Sequence, residues 1–355
     1  RDAQGNRTCY AYDDLNRMTE SIDGKGNVTR YTYDIMGNVT CVENAEGNCQ
    51  SYEYNASGKV TKVTDFDGES IRREYNVLNR PSKAIDKEGR ETLLTYDSMW
   101  NLARVTAPDR GQTTYIYNEH NLLSRVKHAD GSKVRYTYDA NGNRTGEEDE
   151  NGAKTRFTYD ALGRVVEVNG EEGLHYAYRY DGEGNLIHAE DALGNTVSME
   201  YDANGNLVKE TSPLGESRSY TYTPLGDVES ITDEAGRRIR YSYHPGGQLK
   251  AICYPDGREE AFAYDANGNL ESHTLATGFT LTYTYDSMDR ITEIRGSEGE
   301  RKTYTYDALG NVTSMTDGKG HTTRYAYTLS GQLLKVTDAL GNETRYRYDA
   351  CDRLT

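Results

Sequence analysis

Fifty-seven acidic side chains give this chain many carboxylate pairs, the equipment of general acid–base catalysis and of cation binding. Most stand beside glycine or asparagine, where an Asp side chain bonds its own downstream backbone and makes a turn. A glycosidase-type pair is therefore not expected. The stretch from Asp139 to Glu150, DANGNRTGEEDE, puts acidic or amide groups at the first, third, fifth and twelfth places of a calcium loop. Arg144 stands where such a loop needs glycine, and turn chemistry accounts for Asp139, Asn141 and Asn143 without a metal. The five cysteines, Cys9, Cys41, Cys49, Cys253 and Cys351, include no C-x-x-C, so a zinc site has no support. Cys41 and Cys49 flank one turn and could meet across a hairpin, but an odd total in scattered places favours free thiols. The histidines, among them His120, His128, His175 and His188, gather in no common position, and no local motif supports a Ser/His/Asp nucleophile. The expectation is a chain with no catalytic site, no cofactor and no metal.

Composition bounds the partners. Net charge is −16, the pI is about 5.0 and mean hydropathy is −0.88. Lys and Arg are spread thinly along the sequence and form no basic stripe, so nucleic acid is not an expected partner. No run of 18 apolar residues exists, so no membrane span is expected. Few Leu, Ile, Val and Phe at this net charge would ordinarily mean disorder. The order in the sequence overrules that reading.

That order is a repeat. Tyr12, Tyr33, Tyr54, Tyr75, Tyr96, Tyr117, Tyr138, Tyr159, Tyr180, Tyr201, Tyr222, Tyr243, Tyr264, Tyr285, Tyr306, Tyr327 and Tyr348 follow one another at steps of 21 residues without insertion or deletion. A second Tyr, or a large apolar residue, usually stands two places before each anchor; Arg73 is the polar exception. Asp or Asn usually follows the anchor, and Gly, Asn or Asp comes four places after it, with Trp100 the outlier. An aliphatic residue comes six places after it, except at Pro81 and Arg144. Gly returns fourteen places after it, except at Arg110.

Two punctuation points per 21 residues leave room for two short strands and two turns, and not for a helix of ordinary length. Y-x-Y has the period of a strand and puts both rings on one face. The fold class is therefore all-β: repeated hairpins of 21 residues forming a long, curled antiparallel sheet, a segment of a spiral shell. Rings lined in ladders supply the burial that a polar chain otherwise lacks. Seventeen repeats give about 34 strands, a ribbon about 160 Å wide, or about 50 Å across if curled into one closed turn. Residues 1–355 read as a single array of about 17 repeats. Asp2 and Gly5 fall in a second turn and Leu354 just past a first turn, so the array reads as truncated in mid-repeat at both ends.

The motif Y-x-Y-D-x-x-G-N/R, with D-x-x-G between copies, resembles the YD repeat of the Rhs proteins. The same repeat occurs in shell components of insecticidal toxin complexes, in bacterial wall-associated proteins and in the extracellular part of teneurins. The resemblance covers essentially the whole chain. It implies hairpins spiralling into a hollow shell, and in the toxin members a shell around a C-terminal toxin polypeptide. The aspartyl self-cleavage segment of those members has no counterpart, since none of the six prolines follows Asp. No catalytic residue is carried over. The resemblance implies a non-enzymatic segment of a bacterial shell, secreted or at the cell surface, though no signal peptide is visible. Its partners would be a cargo or toxin polypeptide and the rest of the same shell. A cell-surface module for adhesion or glycan binding is the alternative, with Tyr176 and Tyr254, which lie outside the two columns, as its test residues.

Overall fold

The structure, a computed structural model, describes residues 1 and 5–355. Asp2, assigned above to a turn, lies outside the described residues. Thirty-three strands, from β1 (Cys9–Tyr12) to β33 (Glu343–Arg345), form one antiparallel sheet in which each strand pairs with its chain neighbours. A 3-10 turn at Glu171–Gly173 is the sole helical piece among the described residues. After β33 the chain makes only an isolated bridge, Tyr348 to Leu354, in place of a further strand.

Both turns of a repeat use one geometry. In the first turn of the second repeat, Gly37 N–H donates to the Asp34 carbonyl at 3.1 Å and Asp34 N–H to the Asn38 carbonyl at 2.9 Å. In the next turn Gly47 and Asn44 are joined in the same way at 2.9 Å. Each is a type I turn closed by one left-handed residue, which favours glycine. Trp100 and Arg110, the residues that break the two glycine columns, keep that backbone at φ 66° and 71°. The turn therefore outweighs the local preference of these side chains. Nothing in the structure explains Arg73.

The odd length of the repeat has a structural consequence. In β3 (Val28–Tyr33) and β4 (Val39–Glu43), Tyr33 lies opposite Val39, but Thr32 lies opposite Cys41, so Thr40 is an extra residue, a β-bulge. All sixteen first-turn hairpins carry this bulge and the second-turn hairpins do not. Arg30 faces Glu43, and Glu43 faces Cys49 of β5 (Cys49–Tyr54), two residues short of Ser51, the repeat equivalent of Arg30. Without the bulge the shortfall would be one residue, and a one-residue slip turns equivalent side chains to opposite faces. The bulge makes the slip even, so every anchor Tyr stays on one face. The stagger of two residues per repeat, with the added twist of each bulge, makes the ribbon coil.

The coil overlaps itself. Asn267 Nδ2 donates to Asp23 at 2.7 Å, Lys25 Nζ sits 3.2 Å from both Asp265 and Asp289, Arg90 lies 2.6 Å from Asp352, and Arg353 lies 3.1 Å from Asp109. Glu46 pairs with Arg290 in the same line. Second turns of the first five repeats thus seat on first turns of the last five. The ribbon does not close in one turn of about 50 Å: it spirals with about 23 strands per turn, some 35–40 Å across by strand spacing.

The described residues form no filled core. Accessible surface is 21735 Å², against about 14,400 Å² for a compact monomer of this mass. Among the described residues only Val126 and Val134 are buried hydrophobics, at 8% and 7% exposure. The sheet is a wall with two accessible faces.

Candidate functional site

The repeated side chains form one continuous device along the wall. The ladder from β4 to β5 runs only from Glu43↔Cys49 to Cys41↔Ser51, so Val39 lies beyond its end. The hydroxyl of Tyr54, the next anchor, donates to the Val39 carbonyl at 2.6 Å. The same bond, from an anchor to the carbonyl fifteen residues earlier, is made by Tyr33, Tyr75, Tyr96, Tyr117, Tyr138, Tyr159, Tyr180, Tyr201, Tyr222, Tyr243, Tyr285, Tyr306, Tyr327 and Tyr348. Tyr264 instead packs edge-on against His244, and Tyr12 is exposed at the first strand. Each hydroxyl therefore joins two repeats where the backbone ladder has stopped. A carbonyl left out of the ladder is satisfied in this way rather than by water alone. Burial pushes the phenols of Tyr54, Tyr138, Tyr243 and Tyr306 above their ordinary value, which favours the neutral, donating form.

The aspartate after the anchor is fully used by its turn. Asp139 Oδ1 accepts the backbone N–H of Asn141 and of Asn143, and Oδ2 accepts the Asn143 side chain, each at 2.9 Å. These bonds, the Asn143 side chain first, hold the Asp139 carboxyl below the ordinary range. Where arginine replaces that asparagine, a further link appears. Arg164 pairs with Asp160 at 2.7 Å, donates to the Asp181 carbonyl of the next repeat at 3.2 Å, and lies 4.6 Å above the Tyr180 ring. Arg17 and Arg290 repeat the arrangement over Tyr33 and Tyr306. The calcium-like stretch is thus a hydrogen-bonded turn leading into a strand. No group of three or more potential metal ligands occurs among the described residues.

The thiol expectation is corrected. Cys41 and Cys49 form a disulfide across the second turn, with Cα atoms 5.9 Å apart, and Cys9, Cys253 and Cys351 are free. Residues near-diagonal across one hairpin stand within disulfide reach whatever the total count. Tyr176 stacks on Tyr178 at 6.4 Å, and the Tyr254 hydroxyl donates to Glu260, which in turn meets His273. Sequence reasoning missed the hydroxyl-to-carbonyl bond and the arginine link. The signal was present in the columns: Tyr at each anchor, Asp usually after it, and Arg or Asn most often at the fifth place, as at Arg17, Arg164 and Arg290.

The comparisons agree with this architecture. The family described as RHS Repeat matches successive overlapping segments over 117–259 and 264–355, well over half of the chain, and the family described as Teneurin YD-shell matches 2–113. No curated protein matches the chain in sequence. Among solved structures, the crystal structure of TcdB2-TccC3-Cdc42 superposes with a TM-score of 0.81 at 15% identity, over 98% of this chain and 23% of the other. TcdB2-TccC3 without its hypervariable C-terminal region gives 0.82 at 15% identity, over 98% and 22%. A Photorhabdus luminescens Tc holotoxin pore gives 0.81 at 15% identity, over 98% and 22%. The chain therefore shares their fold and spans less than a quarter of their length.

Proposed function

Since the chain belongs to the RHS-repeat family, we propose that it is a wall segment of a hollow shell, non-enzymatic, that encloses or presents a cargo polypeptide. The observation that carries this reading is a sheet that winds past one full turn while exposing half as much surface again as a compact monomer. Such a sheet does mechanical work: it separates an inner volume from solvent and proteases. The anchor tyrosines and the turn aspartates and glycines are its builders, and no residue is given a catalytic role. The similar solved structures carry the names of toxin-complex proteins, which supports a toxin polypeptide as the cargo class. The Cys41–Cys49 disulfide supports a shell that works outside a reducing cytosol, secreted or at a cell surface. Glycan binding is not favoured: the anchor hydroxyls are occupied in joining repeats, Tyr176 stacks on Tyr178, and the Tyr254 hydroxyl is bonded to Glu260.

The test is protease protection in the intact parent polypeptide. Under native conditions a non-repeat segment should survive digestion with the repeats, and become cleavable once the shell is opened by denaturant. A non-repeat segment cut at the same rate in both states would overturn enclosure.

A further inference from the structure

The lysines and arginines that look scattered along the sequence are gathered in space by the two-residue alternation of strands. On β12 (Leu123–Lys127) and β13 (Lys133–Tyr138), Arg125 lies directly opposite Arg135 and Lys127 directly opposite Lys133. They share the face away from the tyrosines, since the intervening pair Val126↔Val134 points to the other side. Arg104 on β10 (Leu102–Thr106) joins the same face through Thr114 and Lys127. Lys154 and Arg156 on β15 (Lys154–Tyr159) join it through Glu148. Glu148 is the one carboxylate paired into this patch, and it pairs with Arg135. The other basic side chains of the patch are exposed.

Folding does not ask for this. Like charges directly opposite in a sheet are destabilising. Two such pairs stand side by side here, in a chain whose net charge is −16. Behind them lie Val126 and Val134, the two buried hydrophobics among the described residues. Beside the patch, Gly146 opens a depression of about 440 Å³ lined by Arg135, Lys154 and Arg156 with Thr137 and Thr145, and by Glu147 and Glu148, whose carboxylates are already paired with Arg144 and Arg135.

We infer that this face is a docking surface for an acidic, extended polypeptide segment. Charge complementarity selects an anionic partner. The outline selects a short one: from β10 to β15 the patch spans five inter-strand steps, about 24 Å, the length of about seven extended residues. Acidic turns at Asp109, Asp130, Asp139 and Asp149 border it at both ends of the strands, which confines an anionic occupant to the strip that crosses them. The inference goes beyond enclosure and does not depend on it.

The experiment is fluorescence anisotropy of a labelled Asp/Glu octapeptide titrated with the full chain, beside a neutral octapeptide and a single-stranded octanucleotide. The acidic peptide should bind, with affinity falling as salt rises, and the neutral peptide should not. Arg125→Glu combined with Lys127→Glu should weaken binding at least tenfold. The same variant should melt at or above the parent temperature, because each new glutamate faces a former like-charge partner. Lys319→Glu, in an exposed turn elsewhere, should change nothing. Unchanged peptide affinity in the double variant would overturn the proposal, as would tighter binding of the oligonucleotide than of the peptide. Unfolding of the double variant would contradict the like-charge argument, and Lys133→Gln then reads the binding alone, with a severalfold loss expected.

Discussion

At the residue scale the wall depends on hydroxyl, carboxylate and backbone angle, each repeated many times. The Tyr138 hydroxyl donates to the Leu123 carbonyl at 2.7 Å. Tyr138→Phe should cost about 1 kcal/mol, the usual net worth of such a bond, measured by urea denaturation. Arg110 holds a left-handed backbone at φ 71° that glycine adopts freely, so Arg110→Gly should gain about 1 kcal/mol in the same assay. The pH profile follows from the two titrating columns. Asp34, Asp139 and Asp202 lie below the ordinary aspartate value through bonds from asparagine side chains. Their contribution is complete above that value, near 4, and is lost as pH falls through the lower folded values. The half-buried phenols are raised, so their contribution is complete below the ordinary value near 10 and is lost as pH rises through the higher folded values. Stability should be flat from about pH 5 to 9 and fall on both sides, by circular dichroism, with tyrosine ionisation delayed until the alkaline transition. Thiol titration under native conditions should find three reactive cysteines in a chain of five.

At the scale of the element, the bulge is the feature that turns a repeat into a wall. Deleting Thr145, the extra residue between Arg144 and Gly146, changes the slip of that hairpin by one. Every later repeat must then present its tyrosines on the wrong face or leave the hairpin unpaired. Deletion should therefore abolish cooperative unfolding, whereas Thr145→Ala, which keeps the count, should shift the midpoint only slightly; thermal denaturation distinguishes them. Strand and turn positions were legible in the sequence, because Y-x-Y alternation and glycine spacing are local signals. The bulge was legible too and went unread. The ninth place after the anchor is often Val or Ile, as at Val42, Val63, Val126 and Ile252; it lies an odd distance from the aliphatic sixth place, and on one strand only an inserted residue brings both to the tyrosine face, as Val39 and Val42 show. The disulfide was read wrongly because cysteine parity over the whole chain says nothing about two residues set diagonally across one turn.

At the scale of the whole molecule, the line where the coil meets itself decides whether the wall closes. Its contacts join residues about 240–264 apart, a separation with no mark in the sequence, and they are made by side chains rather than by a ladder. One position there tolerates no side chain: a Cβ on Gly24 would stand 2.2 Å from the Ala266 carbonyl oxygen. Gly24→Val should loosen the overlap while leaving the circular dichroism spectrum intact, and faster proteolysis around 23–26 and 265–268 would register it. Where turns meet, apolar side chains such as Met288 and Leu309 are half-buried. Where they do not, Ile35 and Val77 stand 98% and 97% exposed.

The measurement that tests the account most directly is small-angle X-ray scattering of the chain in solution. A ribbon wound on itself predicts a pair-distance distribution with the broad shoulder of a hollow wall about 35–40 Å across, and a maximum dimension far below the roughly 160 Å of the uncoiled sheet. A maximum dimension near that uncoiled value, or the symmetric profile of a filled globule, would contradict it.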